Sequence, residues 1–321
     1  MALRGFSTLL YYSQPPHNYI GTTIFLSYIV LALYATLNIT SSLSTQYNKA
    51  YHLNTPHQDA TSKAAQEVRK RHIKIYAFLS SISFATLSYH MLFYLITHYL
   101  NWTGKPTRSI TNVSSDSLKS WMLSSTLFQD FATELVAAPA NTVYTQVAIL
   151  ATFFWNMWIA KKAREHHLRP AAMWTYILLS QILPISFTSA LLITSLHIHL
   201  ASSPMTQAPK PTTRNRQIRA SPLLPTILLN CALLALPTLS KHAMFIPLVL
   251  FSRFVLCLPH SGMVRFNEQE VRKCLVISAG SLVAYWASQR QELRSADRRV
   301  LRGNLYAVRA LGWDALLGGV I

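Results

Sequence analysis

The chain offers few groups that could move a proton. Its 321 residues include only 11 aspartates and glutamates. Asp59, Glu67, Glu165, Glu268, Glu270, Glu292 and Asp297 fall in loops or in a basic tail, and Asp116 stands among serines at a helix start. Three carboxylates remain: Asp130, Glu134 and Asp314. Asp130 and Glu134 are four residues apart and share one face of a helix. Two carboxylates one turn apart at a membrane interface can repel each other, leaving one protonated at neutral pH, as a general acid must be. The plainer reading has both pointing into headgroup water. Asp314, in Gly312-Trp313-Asp314, opens the last apolar stretch, Ala315 to Ile321.

Downstream of Glu134 comes a high density of large rings: Tyr144, Phe153, Phe154, Trp155, Trp158, Trp174 and Tyr176. Ring faces turned into a bundle stabilise a cation. Rings at the membrane surface form an interfacial belt instead, which suits Trp174 and Trp102 better than the mid-span Trp155. Gln146 and Gln181 lie inside apolar segments, where an amide either joins helices or lines a pocket. His90, beside Tyr89, is either a buried neutral histidine or part of the same site. Arg253, also inside an apolar segment, snorkels or meets an anionic group.

Other chemistries lose support. His166-His167 and the His197/His199 pair have no carboxylate or cysteine at ligand spacing, and Cys231, Cys257 and Cys274 form no CxxC, so no metal site is expected. Nine glycines supply neither GxGxxG nor GxxxxGK[ST]. No DDxxD, DxDD, HxxxxD, GxSxG or HxxxH occurs, which argues against diphosphate ionisation, acyl transfer, serine hydrolysis and di-iron oxidation. No cofactor is expected.

The elements that must position these residues are apolar helices. Charged residues are 12% and hydrophobic ones 51%, with mean hydropathy +0.23; soluble domains carry about 25% charge. Seven spans of roughly membrane-crossing length are predicted: Ile20–Leu43, Ile75–Leu100, Thr142–Ala160, Ala171–Leu200 with Pro184 inside it, Pro222–Ser240, Ala243–Leu258 and Leu275–Ser288. The expected fold is an all-α polytopic transmembrane bundle in one domain, residues 1–321, with a truncated eighth span at the end. Residues 116–138 read as an amphipathic interfacial helix before the third span. Segment 201–221 reads as a flexible basic loop and 289–310 as a basic tail.

The net charge of +18 lies in loops without an aromatic-basic module, which favours anionic lipid over nucleic acid as the partner. Seven spans put 17 lysines and arginines at one end and 11 at the other. The expected orientation has a lumenal N-terminus and a cytosolic C-terminal tail, in the endoplasmic reticulum. It leaves the sequons at Asn101 and Asn112 lumenal.

Several stretches together resemble a known family. Leu127-Phe128-Gln129-Asp130-Phe131, Pro139, Tyr144-Thr145-Gln146, Trp155 and Lys161-Lys162-Ala163-Arg164-Glu165 are followed by Met173-Trp174-Thr175-Tyr176, Gln181 to Phe187, and Ala307 to Asp314. The layout is similar to that of the fungal membrane-bound terpene cyclases of the ascochlorin, ascofuranone and macrophorin pathways. It is close over about 120–190 and 300–315 and thin elsewhere, and the chain has fewer tryptophans around the third span than that family. The resemblance implies protonation of the terminal epoxide or alkene of a farnesylated aromatic, followed by carbocation cyclisation. Its implied partner is a hydrophobic prenylated substrate reached from the bilayer. A transporter, or an isomerase of sterols or lipids, is the alternative.

Overall fold

A computed structural model describes residues 11–53, 60–104, 113–166, 168, 170–182, 184–202, 220–261, 264, 267–291 and 306–320. Among them are eleven α-helices and no strand beyond an isolated bridge between Ala220 and Val264. In chain order the helices are α1 (Tyr19–Asn48), α2 (Ala60–Thr103), α3 (Ser115–Ser124), α4 (Leu127–Glu134), α5 (Pro139–Glu165), α6 (Pro170–Ile182), α7 (Ile185–Ser202), α8 (Leu223–Leu239), α9 (Phe245–Cys257), α10 (Glu268–Ser288) and α11 (Tyr306–Val320).

Helices α1, α2 and α5 are long and apolar enough to cross a membrane. The distribution of polarity fits that environment. Phe78 on α2, Val30 and Leu37 on α1, Phe254 on α9 and Val276 on α10 point outward, while Ser83, Asn141, Gln146, Asn156, Ser186, Asn230 and Asp314 are buried. Water would drive the opposite arrangement. Inside, the polar groups bind helices together: Asn230 donates to Ser278 across α8 and α10 at 3.0 Å, and Gln146 of α5 donates to Leu233 O of α8 at 3.3 Å.

One end of the bundle gathers the start of α1 and the α3–α4–α5 region. Asn18 caps α1 through Gly21 N and donates to Ser125 O at 2.9 Å, and Thr22 reaches Met122 O at 2.8 Å. Thr145 Oγ1 donates to Leu135 O at 2.7 Å, tying α5 back onto its own lead-in. At the other end, Arg164 of α5 donates to Val264 O at 2.9 Å.

The predicted interfacial helix over 116–138 is instead two short helices, α3 and α4, because Ser125 and Thr126 adopt non-helical backbone between them. The predicted fourth span is also two helices, and they do not cross. Residues along α2 and α7 pair in opposite directions: Ser83 meets Ser186, Phe84 meets Phe187 at 5.3 Å, and both His72 and Tyr76 meet His197. Helix α7 therefore begins beside the middle of α2 and runs to the end of the bundle where α2 starts. Helix α6 begins at that same end, directly after α5. The pair is a re-entrant hairpin whose turn at Pro184 lies halfway through the bundle. Proline cannot continue α6, since it lacks an N–H and its ring clashes with the preceding turn, but it suits the entry to α7.

The hairpin changes the path of everything after it. The seven-span count placed residues 134 and 307 across the membrane from each other, yet Ala307 N donates to Glu134 Oε1 at 3.1 Å. Residue 307 thus lies at the end holding Asn18, not opposite it. Helix α11 then packs into the bundle against α2, α5 and α7, where a short apolar terminal stretch starting at Asp314 had been expected. Its tight packing follows from composition: Ala307, Val308 and Ala310 are small or branched and fully buried. Residues 203–219, 292–305 and Asn112 lie outside the described residues.

Candidate functional site

The site is built where α11 meets the hairpin turn. Asp314 is 7% exposed. Its Oδ1 accepts from Ser186 N at 2.9 Å and Ser186 Oγ at 2.6 Å, and its Oδ2 accepts from Ile185 N at 3.0 Å. These are the first free N–H groups of α7, which no earlier turn can satisfy. A carboxylate there also faces the positive end of the helix dipole. Ser186 Oγ in turn lies in a short contact with Ser83 Oγ of α2. Three helices therefore converge on one buried carboxyl group.

Asp314 opens onto a groove of about 350 Å³. Helix α5 supplies Ala148, Ala151, Phe154, Trp155 and Trp158; α11 supplies Ala315, Gly318 and Gly319; Ile185 closes the side. Apart from the carboxyl group the lining is nearly all apolar. Trp155 and Trp158 stand edge to face, with ring centroids 5.1 Å apart and planes at 82°, so the pair presents both a ring face and a ring edge. The glycines allow α11 to approach: a methyl group at Gly318 would sit 3.5 Å from Trp155 Nε1.

The other predicted site residues scatter. Asp130 Oδ2 accepts from Thr126 Oγ1 at 2.9 Å and pairs with His98 Nε2 at 3.1 Å, and its side chain is 45% exposed. Trp121 Nε1 donates to His98 Nδ1 at 3.0 Å, which places the ring proton on Nε2, pointing at Asp130. Glu134 does not share this cluster. It caps the first turn of α11 through Ala307 N, and burial raises its carboxyl pKa, opposed by that hydrogen bond and by His98. Tyr144 packs on the core around α8 and α9, Gln146 is a helix tie, and Trp174 is 49% exposed. His90 is buried beside Tyr306, 6.5 Å between ring centroids. Gln181 lies at the end of α6, across the hairpin turn from the carboxyl group.

Of the ten predicted residues, Asp314, Trp155 and Trp158 therefore come together. Sequence reasoning missed His98 and Ser186. His98 lies 32 residues from Asp130 and carries no local signal. Ser186 carries one, since Pro184-Ile185-Ser186 is a helix-start pattern in the middle of an apolar run. Among the described residues no group of three or more His, Cys, Asp or Glu side chains could hold a metal. Searches of protein-family models, curated proteins and solved structures return no match to the chain.

Proposed function

We propose that this chain is a membrane-bound terpene cyclase acting on a farnesylated aromatic or polyketide, with Asp314 as the proton donor. The observation that carries the reading is a single buried carboxyl group at the edge of an otherwise apolar, tryptophan-walled groove. A carboxylate oxygen offers two lone-pair directions. Ser186 fills both on Oδ1, while Ile185 fills one on Oδ2, so Oδ2 is the oxygen with room for a proton. That proton passes to the terminal epoxide oxygen or alkene carbon. The resulting carbocation is attacked by the next double bond of the chain, and the last cation loses a proton from carbon. Nothing is gained or lost overall, so the reaction is an isomerisation. Trp155 and Trp158 stabilise the travelling charge, and the apolar walls keep water from trapping it. A volume of about 350 Å³ is within the usual range for a small-molecule site, about 300–1,000 Å³. The resemblance to the ascochlorin-type cyclases points the same way.

The same reading places the chain in the endoplasmic reticulum membrane, entered by its substrate from the lipid. With the hairpin counted as re-entrant, loops 49–74, 161–169, 210–219 and 265–273 share one end. They carry 17 of the 28 lysines and arginines outside the spans, which makes that end cytosolic. The N-terminus and the end of α10 are then both lumenal.

The broken helix at the hairpin favours a second reading, since transporters bind substrates at such breaks. Microsomes from an expressing fungal host, incubated with a farnesylated phenol and with its terminal epoxide, separate the two. Cyclised product supports the cyclase. Uptake of unchanged substrate into sealed vesicles, without cyclised product, supports the transporter.

A further inference from the structure

The far side of the hairpin turn carries a second buried charge. Arg253 of α9 donates to Gln181 O, in the last turn of α6, at 3.4 Å. That carbonyl is one of the four that a helix leaves unsatisfied at its C-terminus, and the negative end of the dipole favours a cation there. The two helices of the hairpin are thus capped by opposite charges: Asp314 on the start of α7, Arg253 on the end of α6.

The two caps differ in how fully they are used. Asp314 receives three hydrogen bonds. Arg253 makes one, although a guanidinium has five N–H donors. None of the ion pairs among the described residues includes it. The ionisable groups facing it are Tyr28 of α1 and Cys257, one turn along α9, and neither is a carboxylate. Gln181 is equally unfinished. Its side-chain Oε1 and Nε2 are both buried and both lack a hydrogen-bond partner. Buried polar atoms are nearly always paired, and a buried guanidinium with one long bond and no counter-ion is a costly arrangement. Two such groups on one turn indicate a shared ligand.

We propose that Arg253 and Gln181 form a binding site for an oxyanion headgroup, a carboxylate or phosphate carried on an apolar tail. Two oxygens of such a group accept the parallel N–H bonds of the guanidinium, and the Gln181 amide supplies another donor. The apolar helices around the site receive the tail. The same chemistry is offered by an acidic amphipathic substrate and by an anionic lipid. The site is separate from the acid at Asp314, so it stands or falls independently of the cyclase reading.

The test uses the full chain purified in a neutral maltoside detergent, with binding read as thermal stabilisation. Dodecanoate is compared with dodecanol, which has the same tail and no charge. Saturable stabilisation by dodecanoate, absent with dodecanol and reduced at least tenfold in apparent affinity by both Arg253→Gln and Gln181→Leu, is the expected result. Equal responses to the two probes, or unchanged dodecanoate binding in Gln181→Leu, would overturn it. Should Arg253→Gln fail to fold, Gln181→Leu and the comparison of probes still decide. Native mass spectrometry of the protein taken from nanodiscs containing phosphatidic acid separates the sources. A phosphatidic acid retained by the wild type and lost from Gln181→Leu assigns the site to lipid. Binding of dodecanoate without retained lipid assigns it to an acidic substrate.

Discussion

Asp314 Oδ1 lies 2.6 Å from Ser186 Oγ although the residues are 128 apart in sequence. This bond fastens the last described helix to the tip of a hairpin that never crosses the bundle. It explains how a carboxyl group is tolerated so far from the ends of the helices: the free N–H groups of α7 need an acceptor, and Asp314 is that acceptor. The same geometry places it on the wall of the tryptophan groove.

The re-entrant hairpin predicts a topology. Cysteines placed at Lys119 and Gln289 in a background lacking the three native cysteines should react with an impermeant maleimide from one side of sealed vesicles, and a cysteine at Lys161 only from the other. Labelling of positions 119 and 289 from opposite sides would restore the odd number of crossings and contradict the fold.

Glu134 predicts a pH dependence of stability. Burial raises its carboxyl pKa in the folded protein. A raised acid pKa means that the folded state holds the proton more tightly than the unfolded one, so the contribution is favourable at low pH and is lost as pH rises through the folded value. Glu134→Gln keeps the acceptor for Ala307 N and removes the titration. In detergent, the melting temperature of the wild type should fall relative to Glu134→Gln as pH goes from about 4 to 7. A difference that stays constant over that range would show that the carboxyl group is not held neutral by burial.

The groove predicts a graded block. Gly318→Ala adds a methyl group in ordinary contact with Trp155 and should leave turnover within about twofold, the effect of a contact worth under 0.5 kcal/mol. Gly318→Leu fills the space between α11 and Trp155. It should abolish turnover of a farnesylated substrate while the protein still accumulates in membranes, as judged by product analysis and immunoblotting. Normal turnover by Gly318→Leu would place the substrate elsewhere.

Much of this architecture is legible in the sequence because lipid imposes simple rules. The bounds of α1, α2 and α5 follow from apolar length, and α5 was found to begin at Pro139, three residues before its predicted span. The hairpin was not legible. An apolar run of 30 residues with a central proline reads equally as one kinked span or as two half-helices, and hydropathy does not distinguish them. What decides is whether the free N–H groups at the break find an acceptor, and that acceptor, Asp314, lies 128 residues away. The site was legible to the same degree. Elimination reduced 11 acids to Asp130, Glu134 and Asp314, but local pattern favoured the pair at 130 and 134, which the fold uses to hold His98 and the start of α11. Trp155 and Trp158 were expected to wall a pocket because they lie mid-span. Trp174, at a helix start, was grouped with them and faces outward.

The account rests on Asp314 as the acid, and a variant panel tests it most directly. Microsomes containing the wild type, Asp314→Asn, Asp130→Asn or Glu134→Gln are incubated with a farnesylated phenol and its terminal epoxide, and cyclised product is quantified at equal protein level. Loss of a general acid costs about 10²–10⁴ in rate. Asp314→Asn should fall by at least about a hundredfold. Asp130→Asn and Glu134→Gln, which alter only a surface pair and a helix cap, should stay within about tenfold of the wild type, the scale of a structural change worth about 1.4 kcal/mol. Full turnover by Asp314→Asn, or its loss in Asp130→Asn or Glu134→Gln alone, would contradict the assignment.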